Sequence, residues 1–100
     1  MKIRLHQQVC LKDSMRDFRT LHKEFESNVI PHKGDFIADS LYKNPYEIEV
    51  GEVHINYQRN ECNVFLHRIE LESNSVEALE DYVDIGLLHD WTCDFRTREK

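Results

Sequence analysis

The stretch Tyr46-Glu47-Ile48-Glu49-Val50-Gly51-Glu52-Val53-His54-Ile55-Asn56-Tyr57 decides how the chain is read. Ile48 and Val50 share one parity, and Val53, Ile55 and Tyr57 share the other, with polar residues between them. Two-residue alternation marks a strand with one buried face. The parity changes at Gly51, where a β-bulge keeps both apolar sets on the core side and bends the strand. The next run, Asn63 to Leu71, slips in the same way between Val64, Leu66 and Ile69, Leu71. A small, strongly bent antiparallel sheet follows from these two slips.

Upstream, Ile3, Leu5, Val9 and Leu11 alternate as a first strand. From Asp13 the spacing lengthens: Met15, Phe18, Leu21, His22 and Phe25 recur at three- and four-residue steps, and Ser14 with Asp17 has capping-box spacing. This pattern predicts a first helix ending near Ser27. Pro31 and Gly34 then turn the chain into a strand, Asp35 to Asp39, and Lys43-Asn44-Pro45 turns it again. Downstream, Asn74 with Glu77 predicts the start of a second helix carrying Val76, Leu79, Tyr82 and Val83, which Gly86 ends or kinks. Alternation of Trp91, Cys93 and Phe95 allows a final strand. The expected class is α+β: a small bent antiparallel sheet or SH3-like barrel in the order β-α-β-β-β-α, with two helices.

The pattern Pro31-x-x-Gly34-Asp35-Phe36-Ile37, followed by the bent Val50-x-x-Val53 strand and a hairpin, resembles small SH3-like barrels of uncharacterised bacterial and phage-encoded proteins. The resemblance covers roughly Ile30 to Leu71. It implies a barrel meander and a binding or assembly role rather than catalysis, and it carries over no functional residue.

At 100 residues, 40% hydrophobic and 32% charged, the chain supports one folded domain, assigned to residues 1–96, with 97–100 as a disordered tail. No run of apolar residues is long enough for a signal segment or membrane span. Cys10, Cys62 and Cys93 are odd in number and form no C-x-x-C pair, which points away from a disulfide framework and toward a reducing cytoplasm. The net charge of −6 is uneven: seven Lys or Arg face four acids from Met1 to Gly34, whereas three face fourteen from Asp35 to Phe95. Nucleic-acid binding relies on concentrated positive charge, so this distribution argues against it and suits a basic protein partner.

Chemistry-bearing residues are few. With a hairpin loop at Arg59-Asn60-Glu61-Cys62, His54 falls opposite His67 with Glu52 beside them, a candidate set of ligands for a divalent metal. His89-Asp90 near Cys93 offers a Cys-His pair, although Cys93 in an alternating apolar stretch reads more simply as a small core residue. His6, His22 and His32 fall on separate expected elements. Glycine-rich phosphate loops and nucleophile elbows are absent, and no cofactor is expected. The expected role is therefore a non-catalytic protein-binding or assembly module. Its candidate partner surface is Glu77, Glu80, Asp81 and Asp84 together with an outward Phe65, and a homodimer would cover leftover apolar surface at Leu87, Leu88 and Trp91. A small metal-dependent enzyme at His54 and His67 and a nucleic-acid-binding protein are the alternatives.

Overall fold

The computed structural model describes residues 1–12, 17–42 and 48–93. Within them the chain is mostly sheet, curled into a half-barrel, with one helix. The elements are β1 (Lys2–Cys10), β2 (Phe18–Glu26), β3 (Phe36–Ile37), β4 (Ile48–Asn56), β5 (Glu61–Leu66), β6 (Ile69–Glu70), α1 (Val76–Leu88) and β7 (Thr92–Cys93). Their order across the sheet is β3-β4-β5-β1-β2-β7, and β6 pairs β1 where β5 leaves off.

Both slips read from the sequence are present. The β4–β5 register shifts between Val50 and Glu52, and the bulge at Gly51 leaves Ile48 and Val50 in the core. Along β1, Leu5 and His6 face Val64 and Phe65, whereas Val9 and Cys10 face Ile69 and Glu70, so His67 and Arg68 interrupt one edge of the pairing. Gln7 fills that gap. Its side chain is fully buried, Nε2 donates to the carbonyls of His67 (2.8 Å) and Gln8 (3.0 Å), and Oε1 accepts from the Tyr42 hydroxyl at 2.7 Å. A buried amide is tolerated because these bonds replace the ones it made to water.

Three expectations need correction. First, the segment read as the first helix is β2, paired with β1 over nine residues from Cys10↔Phe18 to Lys2↔Glu26; Asp13 to Arg16 lie outside the described residues. Its inward positions include Arg19 and Lys23, and these long polar side chains hide the two-residue period. Only Phe18, Leu21 and Phe25 are left to suggest a helical one. Second, the sheet is mixed, since β1 runs parallel to β5 and β6. Third, Gly86 does not end α1, which runs on to Leu88. A Cβ there would meet Leu21 Cδ1 at 3.1 Å, so the glycine lets the helix lie close against β2.

The helix also begins one residue later than Asn74 suggested, at Ser75, whose hydroxyl accepts from the Glu77 amide at 3.2 Å. At its far end Asp90 takes φ +69 and the Trp91 amide returns to the Gly86 carbonyl at 3.0 Å, the bond pattern of a Schellman close. Asp90→Gly should therefore stabilise the fold by about 0.5–1 kcal/mol, read as a rise in the midpoint of urea unfolding, because glycine takes this conformation without a Cβ penalty.

The helix carries Leu79 and Val83 onto the face of the sheet that bears Leu21, and Trp91 closes the core beside them. Trp91 is therefore not part of an exposed patch, whereas Leu88 is 82% exposed. The short closing strand exists as β7; Phe95 and the tail lie outside the described residues. No helix among the described residues is long and apolar enough to cross a membrane.

Candidate functional site

Residues facing away from α1 on the central strands form cross-strand rows. In the first, Glu52 of β4 faces Phe65 of β5, Phe65 faces His6 of β1, His6 faces His22 of β2, and His22 faces Thr92 of β7. In the second, His54, Asn63, Arg4 and Glu24 follow one another in the same way. The rings touch in sequence. His54 tilts against Phe65 at 5.0 Å between centroids, Phe65 stacks on His6 at 4.5 Å with planes 12° apart, and His6 meets His22 edge to face at 4.8 Å. Two coplanar rings 4.5 Å apart would overlap, so Phe65 and His6 stand upright on the sheet, face to face, and present their edges outward.

This arrangement is held from below and from the side. The Asn63 Oδ1 lies 2.8 Å from His6 Nε2, and because a carbonyl oxygen only accepts, that imidazole nitrogen carries the hydrogen. Arg4 Nε lies 3.7 Å from Glu24 Oε2, and His54 Nε2 lies 3.5 Å from Glu52 Oε1. Beyond them Glu61, Lys2 and Glu26 form a further row in which unlike charges are neighbours. The surface therefore offers ring edges and imidazole nitrogens ringed by four carboxylates, Glu24, Glu26, Glu52 and Glu61.

The metal set read from the sequence is not assembled. The hairpin loop is Tyr57 to Asn60, so His54 faces Asn63 instead of His67. Asn56 sets this loop: its Oδ1 accepts from the Arg59 amide at 3.1 Å, the Asn60 amide returns to the Tyr57 carbonyl at 3.3 Å, and Asn60 closes the turn at φ 56. Cys62, placed in the loop by the sequence reading, is instead fully buried opposite Ile55. His67 lies farther along, its amide bonded to the Glu49 carbonyl at 3.0 Å and its ring over Gly51. There it lines an open pocket of about 330 Å3 with Phe36, Ile48, Glu49, Arg68, Ile69 and Glu70. Among the described residues no three His, Cys, Asp or Glu side chains are grouped to hold a metal ion.

The acidic residues Glu77, Glu80, Asp81 and Asp84 do share one side of α1, opposite Leu79, Val83 and Gly86. Phe65, however, lies on the other side of the sheet from the helix, so the partner surface read from the sequence divides in two. His89 bonds the Ser40 hydroxyl through Nδ1 at 2.9 Å, and Cys93 faces Leu21, which separates the roles of that pair. Burial pushes the Cys62 thiol up, keeping it protonated and unreactive. The sequence hides the ring row because the spacing of Phe18, Leu21 and Phe25 reads as a helix and takes His22 with it. Once β2 is a strand, two-residue counting sets His22 beside His6.

Comparison with known protein families, with curated proteins and with solved structures finds no significant match to this chain.

Proposed function

We propose that this chain is a non-catalytic binding module that takes a basic, partly apolar protein segment on the outward face of its sheet. The observation that carries this reading is the His54, Phe65, His6 and His22 row, a continuous ring surface bordered by carboxylates. Apolar stems of Lys or Arg can lie against the ring edges while their charged heads reach Glu52 or Glu24. The acidic side of α1 adds a field of the same sign, which speeds encounter with a basic partner. Single-stranded nucleic acid is served less well, because base stacking needs open ring faces and those of Phe65 and His6 cover each other. The curled β3-β4-β5 meander is compatible with the SH3-like resemblance and with its binding role. A reducing cytoplasm suits Cys10, Cys62 and Cys93, which form no disulfide.

Amide chemical shifts should respond at Arg4, His6, His22 and Phe65 when a peptide of alternating arginine and leucine is titrated in. Phe65→Ala should weaken that binding about tenfold while leaving the circular dichroism spectrum unchanged. Shifts produced by oligothymidylate but not by the peptide would replace this reading with the nucleic-acid one, and no response at the row to either probe would remove it.

A further inference from the structure

The strand edges of the half-barrel are not equally covered. On β4, Phe36 and Ile37 pair with Glu49 and Ile48, the Gly34 amide donates to the Val50 carbonyl at 2.9 Å, and the Val50 amide donates to the Asp35 carbonyl at 2.7 Å. Beyond Gly51 this cover ends, and among the described residues Val53 to Asn56 has a strand neighbour, β5, on one side only. Natural proteins blunt such edges with charged side chains, proline or inward-pointing ions. Val53-His54-Ile55-Asn56-Tyr57 has no Lys, Arg, Asp, Glu or Pro; Ile55 is 40% exposed and Tyr57, where the strand enters the hairpin turn, 78% exposed.

A second free edge provides the comparison. On β2, β7 pairs only Leu21 and His22, leaving Lys23 to Glu26 with β1 alone among the described residues. When a strand pairs with its own copy about a twofold axis perpendicular to the sheet, each face maps onto itself, so only residues of equal parity meet. On β2 a centre at Phe25 sets Glu24 opposite Glu26 of the copy, and a centre at Glu24 sets that carboxylate opposite itself. Like charges directly opposite one another are destabilising. On β4 a centre at Ile55 sets Ile55 against Ile55, Val53 against Tyr57, and His54 against Asn56. Apolar residues meet apolar ones on one face, and no like charges meet on the other. Moving the centre to His54 would set that imidazole against itself.

We propose that a second copy of this chain pairs along the β4 edge, antiparallel and centred on Ile55, joining two half-barrels into one continuous sheet. The pairing covers the exposed side chains of Ile55 and Tyr57 and supplies partners to the β4 backbone groups that have none among the described residues. It leaves Phe65, His6 and His22, which lie one, two and three strands inward from β4 on the face away from α1, open to the ligand of the preceding reading, while His54 at the end of that row lies on the paired strand itself. The pairing and the ligand reading are separable at Ile55, which lies outside the ring row, and at Phe65, which lies off the paired strand.

Sedimentation equilibrium of the full chain should show a reversible monomer–dimer distribution. Ile55→Lys, at a position already partly exposed, should give monomer at all concentrations with an unchanged circular dichroism spectrum. Phe65→Ala should leave the dimer intact. The register has its own test, which does not depend on how Ile55→Lys folds: under mild oxidation a mixture of His54→Cys and Asn56→Cys chains should form the mixed covalent dimer, and neither chain alone should match its yield. A wild-type chain that stays monomeric, a dimer that survives Ile55→Lys, or cross-linking no greater in the mixture than in either single variant would overturn the proposal.

Discussion

Replacing Asp39 with alanine should destabilise the protein by about 3 kcal/mol, a fall in Tm of roughly 15 °C for a domain of this size. The size follows from how much one carboxylate ties together. Its Oδ2 accepts from Lys23 Nζ at 2.7 Å, and its Oδ1 accepts from Trp91 Nε1 at 2.9 Å and from the Leu41 amide at 3.0 Å. Lys23 Nζ also sits 5.5 Å from the centre of the Trp91 ring, and Tyr42 packs against that ring edge to face at 6.3 Å. One short loop thereby fastens β2, Trp91 in the link between α1 and β7, and the core. Burial by itself would raise the Asp39 carboxyl, but the bonds from Lys23, Trp91 and Leu41, with the lysine charge, outweigh it and hold the group below its ordinary value.

A folded-state value below the unfolded one gives a definite sign. The contribution is fully present above the unfolded value, about 3.9, and is lost as pH falls through the lower folded value. Asp39→Asn retains an oxygen that can accept from Trp91 and Leu41 but has no charge to titrate. Its urea-unfolding free energy should therefore be lower than wild type at neutral pH and should flatten with acid where the wild type declines. Parallel acid limbs for the two proteins would show that Asp39 does not supply this dependence.

Gln7→Leu should cost about 2–3 kcal/mol in urea unfolding despite the near-equal size of the side chains. The substitution removes the acceptor for the Tyr42 hydroxyl and the donor to the His67 carbonyl, at the point where β5 gives way to β6. Leucine offers neither group, and the backbone break remains. Gln7→Glu separates the two contributions: it keeps an acceptor for Tyr42 and loses the amide donor toward His67, so its stability at neutral pH should not exceed that of Gln7→Leu by more than the one bond restored, about 1 kcal/mol.

The parts of the fold legible in the sequence are those where one face is apolar and the other polar. Gly51 lies at a parity change and becomes the bulge; Val64, Leu66 and Ile69 slip and become the β5–β6 interruption; Leu79 and Val83 mark the buried side of α1. Where inward positions carry long polar side chains the pattern fails. Lys23 points inward because Asp39, sixteen residues away, waits for it, and no local count of apolar residues contains that information. The hairpin register was open to the sequence only through the side chain of Asn56, whose bond to the Arg59 amide sets the loop two residues earlier and carries His54 away from His67. The outward ring row depended on both of these facts, so it was hidden although each of its residues was singled out.

The parallel pairing of β1 with β5 also governs the order of assembly. β1 lies in the middle of the sheet, yet it precedes one of its two neighbours by more than half the chain, with Lys2 beside Glu61 and His6 beside Phe65. During synthesis the β1–β2 hairpin is available early, while its other flank waits until the residues around position 65 have left the ribosome. In that interval the nascent chain carries an open central strand with Ile3, Leu5 and Val9 uncovered, so nascent-chain folding should show a late, abrupt gain of protection in β1, coincident with β5 and later than the hairpin itself.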